Sequence, residues 1–254
     1  MQQAGQAHID TAERLLGWAG AWLDELRDHG RHAREKDAER VLFAALCAIN
    51  ASHDALASAA NLIGQRAWCE QLHQAQLRDP LLRYLWLAPQ AEPNHPIVTW
   101  APERATAATA VVDAAKLRHI TSLFYSPLSP HGASERLLMY AHGATTRQEL
   151  LHKQGAATLP DTARMEAAGV ELVYGPEALA LQGFDVFWGG RMEHVAVPDA
   201  HLGVRADFGA ADRAVAAGIN FYRAKADELV RARAASTQNG GPLPLSSSPP
   251  RELR

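Results

Sequence analysis

Apolar residues recur at alternating steps of three and four along the first part of the chain. Ile9, Ala12, Leu16, Ala19, Leu23 and Leu26 fall on one face, which predicts a helix over residues 8–28 with Gly30 as its stop. The same rhythm through Leu42, Leu46, Ile49, His53, Leu56, Ala60 and Ile63 lasts for over about five turns and predicts a long helix over 35–63, closed by Gly64. A seam of that length, set among alanines, suits an antiparallel partner inside a bundle. A third helix over 65–77 turns Trp68, Leu72 and Ala75 inward. A fourth starts near Asp79, with Pro80 at the favoured first helical position and Leu81, Leu82, Leu85 and Trp86 following. Pro89 and Pro93 end it.

The middle of the chain is less periodic. Residues 102–121 are Ala-rich and read as helical; 126–132 form a Ser/Pro turn cluster. Further short helices are expected over 134–141, after the Thr146–Glu149 capping box, and over 161–168. The pattern then changes to strands: 170–174, 184–188 and 192–197, with Gly189-Gly190 marking a hairpin between the last two. A final helix over 210–234 carries Val215, Ile219, Tyr222, Ala226 and Leu229 as its buried stripe. The expected organisation is a helical bundle at 1–101, an irregular helical region at 102–169, a small β-insertion at 170–200, a C-terminal helix at 201–235 packed on the bundle, and a disordered Pro/Ser/Gly tail at 236–254. The fold class is mainly α, a helical bundle with a small antiparallel β-insertion before the last helix.

Composition adds little to this picture. With 47% hydrophobic and 21% charged residues the chain has ordinary globular content, and a net charge of -3 supplies no general attraction to phosphate backbones. Two cysteines, Cys47 and Cys69, are too few for a thiolate zinc site, and Cys47 reads as a small buried hydrophobe in the run 41–47. The N-terminus lacks a basic start and an apolar core, and no uninterrupted apolar run reaches the ~20 residues of a membrane helix. A cytoplasmic location and no membrane partner are expected.

Candidate chemistry is sparse. The twelve histidines contain no H-E-x-x-H pattern, so neither a metal nor another cofactor is expected. His29 and His32 read as solvated residues of a helix connection, and the six tryptophans as packing anchors. No G-x-S-x-G, G-x-x-x-x-G-K-[ST] or G-x-G-x-x-G occurs. The polar residues worth following are His53 on the apolar seam, His201 in the loop after the strands, and Arg83 and His95 around the end of the fourth helix.

The segment Arg78-Asp79-Pro80-Leu81-Leu82-Arg83-Tyr84-Leu85-Trp86-Leu87-Ala88, with Pro198-Asp199-Ala200-His201-Leu202-Gly203 and the later Phe221-Tyr222, resembles bacterial helical proteins with HEPN-like features. Their fourth helix continues as Arg-Asn-x-x-x-His. The resemblance implies an all-helical, commonly dimeric protein whose active members cleave RNA, the His serving as acid–base and the Arg stabilising the phosphate. In this chain Pro89 stands at the Arg position, Gln90 at the Asn position and Asn94 at the His position, with His95 one place further on. The resemblance therefore implies a member without the catalytic pair: a helical binding protein, HEPN-like, in a toxin–antitoxin or defence context. Its partner would be a second copy or another protein, with RNA a weaker candidate. The alternative is an enzyme or small-molecule sensor with a pocket between bundle and sheet, using His53 and His201.

Overall fold

The computed structural model describes residues 2–32, 34–91, 96–101, 104, 108–112 and 170–238. Among them are five α-helices, α1 (Gln2–Arg31), α2 (Glu35–Leu62), α3 (Arg66–Arg78), α4 (Pro80–Leu87) and α5 (Ala211–Gln238), with short antiparallel strand pairs before the last helix. The fold is mainly α, with a small β component.

The centre is a three-helix layer. α1 and α2 form an antiparallel hairpin that buries Ile9, Leu16 and Leu26 against Leu42, Leu46, Ile49 and Leu56. α5 lies on both, antiparallel to α1: Asp212 at its start meets Arg27 near the end of α1 (3.3 Å), and Arg233 near its end bonds Gln6 near the start of α1. The predicted stripe Val215, Ile219, Tyr222, Ala226 and Leu229 is buried there. α2 is long and apolar enough to cross a membrane, with mean hydropathy 1.4 over an 18-residue window. However, 61% of that window is buried inside the protein, so its apolar character serves packing. Interspersed Asn50, Ser52, His53 and Asp54 break its uninterrupted runs.

Local chemistry explains the helix ends. At the end of α2, Gly64 takes φ +79°, the Gln65 N–H donates to the Ala60 carbonyl (2.8 Å) and the Gly64 N–H to Asn61 (3.2 Å), a Schellman closure. Asp79 is the N-cap of α4, its carboxylate accepting the Leu82 N–H at 2.9 Å. Asn50 of α2 donates to the Leu85 and Trp86 carbonyls at the other end of α4. α4 then passes into a 3-10 turn, Ala88–Gln90, that contains Pro89.

Gly30 does not stop α1, which continues to Arg31. Gly30 is buried, and a Cβ there would lie 3.1 Å from Leu179 Cδ1 and 3.2 Å from the Pro176 carbonyl, so its bareness admits the 3-10 turn Pro176–Ala178 against the helix. His29 and His32 consequently belong to this packed end instead of a solvated connection; the His29 side chain is only 12% exposed.

Among the described residues the β component is not one sheet. β1 (Val98–Trp100) pairs with β4 (Leu179–Leu181), β2 (Ala108–Val112) with β3 (Val170–Tyr174), β5 (Phe184–Trp188) with β6 (Arg191–Val195), and β7 (Ala200–His201) with β8 (Val204–Arg205). The expected helix over 102–121 is overturned at Ala108–Val112. There Thr109, Val111 and Val112 favour extended backbone, and a partner strand supplies the ladder that alanine content could not reveal. The helices expected over 134–141, after Thr146 and over 161–168 lie outside the described residues, as does the tail from residue 239. α5 itself runs on to Gln238, past the boundary at 235. The Gly189-Gly190 hairpin is as predicted, both glycines having positive φ (+59° and +83°) between Trp188 and Arg191.

Two single-residue expectations change. Cys47 is exposed, because the buried line of α2 passes through Leu42, Ala45, Leu46 and Ile49 and leaves residue 47 on the outer face; Cys69 is the buried cysteine. Trp18 is 51% exposed and carries the Arg14 guanidinium over its ring at 6.0 Å, so it is not a core anchor.

Candidate functional site

α4 ties the helical layer to three of the β segments. Arg83 donates to Glu193 of β6 at 2.7 Å. The buried Tyr84 hydroxyl donates to the Gln182 carbonyl at 2.7 Å and lies 3.3 Å from the Ile97 carbonyl. Tyr84 and Phe184 meet edge to face, as do Trp86 and Trp188. At the start of the helix, Asp79 holds the β7–β8 hairpin: its Oδ1 lies 3.0 Å from His201 Nδ1, and its Oδ2 accepts the Leu202 N–H at 2.5 Å. Burial pushes the Asp79 carboxyl up, but the bonds from His201, Leu82 and Leu202 outweigh it and hold the group below the usual carboxylate range.

The β7–β8 turn is strained. Leu202 has φ +50° and Gly203 φ +77°, the double left-handed geometry that two-residue hairpins normally fill with Asn-Gly. Leu202 is nevertheless 60% exposed. A branched side chain held there and turned to solvent has no evident packing reason, and such positions concentrate at functional sites.

An open cleft of about 650 Å³ runs from this hairpin along the outer face of α5. His201, Leu202, Asn220, Phe221, Lys225 and Arg231 line it. The His201 ring is wedged edge-on between Phe208 (6.1 Å) and Phe221 (5.8 Å). With Nδ1 engaged by Asp79, Nε2 is the ring nitrogen left for whatever occupies the cleft. Lys225 pairs with Glu228 at 2.7 Å, while Arg231, among the described residues, bonds only the Asp227 carbonyl one turn back.

No family model, curated protein or solved structure matches this chain.

His53 belongs to a separate, interior cluster. Its Nε2 shares a hydrogen bond with His73 Nδ1 (2.9 Å), and its Nδ1 lies 3.4 Å from the Tyr222 hydroxyl, whose oxygen Gln76 also bonds. Burial first, and the charge of His73 second, push the His53 imidazolium down to about 4; burial also raises the Tyr222 phenol. Adjacent Phe221 and Tyr222 link this cluster to His201 through ring contacts, but His201 lines the cleft and His53 does not. Of the four residues singled out by sequence, Arg83 is engaged with Glu193, His53 is interior, His201 lines the cleft, and His95 lies outside the described residues.

Sequence reasoning missed Asp79 as the partner of His201, and the cleft-facing side of α5. Asp79 carried a signal, since Asp before Pro is an N-cap, but its second role depends on a hairpin 122 residues away. Asn220, Lys225 and Arg231 carry no motif that sets them apart from other polar positions of a helix.

Proposed function

We propose that this chain is a helical binding protein without nuclease activity, HEPN-like in the sense of its fourth-helix and His201 segments, that works in a toxin–antitoxin or defence setting through contact with another chain. The observation that carries this reading is the end of α4: the helix closes in a 3-10 turn with Pro89 where the resemblance calls for arginine, and the nearby Arg83 is occupied by Glu193. A guanidinium held in an ion pair at 2.7 Å is not free to meet a phosphate. Incubating purified protein with total RNA should leave the RNA intact; metal-independent cleavage that His95→Ala abolishes would overturn the reading. Light scattering reports whether a second copy is the partner.

A second reading, an enzyme or small-molecule sensor with a cytoplasmic ligand, is favoured by one specific observation. The Asp79-held His201 lines an open cleft beside a strained exposed leucine. Charge reorganisation there costs little because the imidazole is already oriented.

A further inference from the structure

The α5 cleft has two polar ends with an apolar stretch between. At one end stand His201, fixed through Nδ1 by the buried Asp79, and the side chain of Asn220. Next come Ala217, Phe221 and Ala224, with Leu202 at the hairpin edge of the cleft and the Lys225 ammonium 5.9 Å from the centroid of the Phe221 ring. Between Phe221 and the other end the Lys225–Glu228 pair is internally neutralised, and at that end Arg231 donates to the Asp227 carbonyl and has no carboxylate within 4.0 Å among the described residues. From Phe221 to Arg231 the helix rises about 15 Å.

Resting on the second reading above, we propose that the cleft binds an elongated apolar carboxylate bearing a hydroxyl at its far end. The carboxylate meets Arg231, the hydrocarbon lies over Phe221 and Ala224 beside Leu202, and the hydroxyl donates to His201 Nε2. Each feature has its counterpart in the structure. A guanidinium with no carboxylate partner among the described residues selects an anion. Small alanines beside a ring leave a trough for a linear chain, and a 650 Å³ cleft is of the size that holds such a molecule. A histidine whose Nδ1 is bound by a buried carboxylate presents Nε2 as an oriented acceptor. The strain at Leu202 also finds a reason: a leucine where asparagine would be easier sets an apolar side chain at the edge of the trough.

The test uses 12-hydroxydodecanoate, whose extended length matches the span, beside dodecanoate and 1,12-dodecanediol, with the full chain in calorimetric titrations. The hydroxy acid should bind saturably, and the diol about tenfold more weakly, as expected for loss of one charge-assisted contact. Arg231→Gln, at an exposed position, should abolish the discrimination between hydroxy acid and diol; His201→Gln should abolish that between hydroxy acid and dodecanoate. Leu202→Asn should raise the melting temperature while weakening all three ligands several-fold. Equal affinity of wild type and Arg231→Gln for the hydroxy acid overturns the proposal. So does a Leu202→Asn protein that binds as well as wild type. If the hydroxy acid fails but other small molecules shift the His201 ring resonances by NMR, the ligand class falls and the cleft remains a small-molecule site. If no small molecule moves those resonances, the second reading falls with it.

Discussion

His53 and His73 face each other with Nε2 and Nδ1 2.9 Å apart, one ring buried in α2 and the other at an exposed position on α3. A neutral imidazole carries one N–H, so His53 donates one of its two bonds and accepts the other, either toward His73 or toward Tyr222. A second proton on His53 has a burial penalty to overcome, and the charge of His73 adds to it.

Stability should therefore fall with acid in a defined window. His53 titrates at 6.5 when unfolded and at about 4 when folded, so the unfolded chain takes up the proton first. Its contribution is full above pH 6.5, declines as pH falls toward 4, and amounts to about 3 kcal/mol across the window. Urea unfolding at pH 7.5 and pH 4.5 measures the drop. His53→Gln, which cannot ionise, should remove most of it; an unchanged pH slope in that variant would refute the assignment.

Two glycines of α1 should respond oppositely to alanine. At Gly17 a Cβ meets nothing within 4 Å, so Gly17→Ala should stabilise by about 0.5–1 kcal/mol through helix propensity. At Gly30 the same methyl presses on Leu179 and the Pro176 carbonyl, so Gly30→Ala should destabilise by about 1–3 kcal/mol despite its helical position. Paired denaturation curves decide it, and equal signs would contradict the packing described.

Asp79→Ala removes three accepted bonds at once: the α4 cap to Leu82, the Leu202 N–H and the His201 ring. A loss of about 2–4 kcal/mol is expected, more than a cap alone contributes. Asp79→Asn should recover part of it. Hydrogen exchange should show the Leu202 amide losing protection in both variants.

Tyr84→Phe keeps the edge-to-face contact with Phe184 but withdraws the donor to Gln182. The buried carbonyl left behind should cost about 1–2 kcal/mol, measured by chemical denaturation. A neutral result would mean that water reaches the link between β4 and β5.

Much of the helical layer is legible in the sequence because a 3.6-residue period is a local property. The seam of α2, the stripe of α5 and the Gly64 closure need only their own neighbours. The Gly189-Gly190 hairpin is legible for the same reason, a turn whose φ angles suit glycine. The Ala108–Val112 strand is not, since its extended form depends on pairing with Val170–Tyr174 across a long intervening segment. Gly30 is misread as a stop because a glycine that ends a helix and one that admits a neighbour look alike in one dimension. Cys47 and Trp18 are misread because hydrophobic character does not fix which side of a helix meets the core.

The candidate site follows the same division. Sequence alone determined that His53 sits on an apolar seam, that Asp79 precedes a helix led by Pro80, and that His201 lies between the earlier strands and the last helix; the loop expected at His201 is instead the short strand β7. Tertiary structure decided that Asp79 and His201 meet, that His53 pairs inward with His73 instead of facing a cleft, and that a plain polar face of α5 becomes the wall of one. The physical reason is range: backbone periodicity and capping act within a few residues, whereas hydrogen bonds between side chains far apart in sequence exist only once the packed core has brought their elements together.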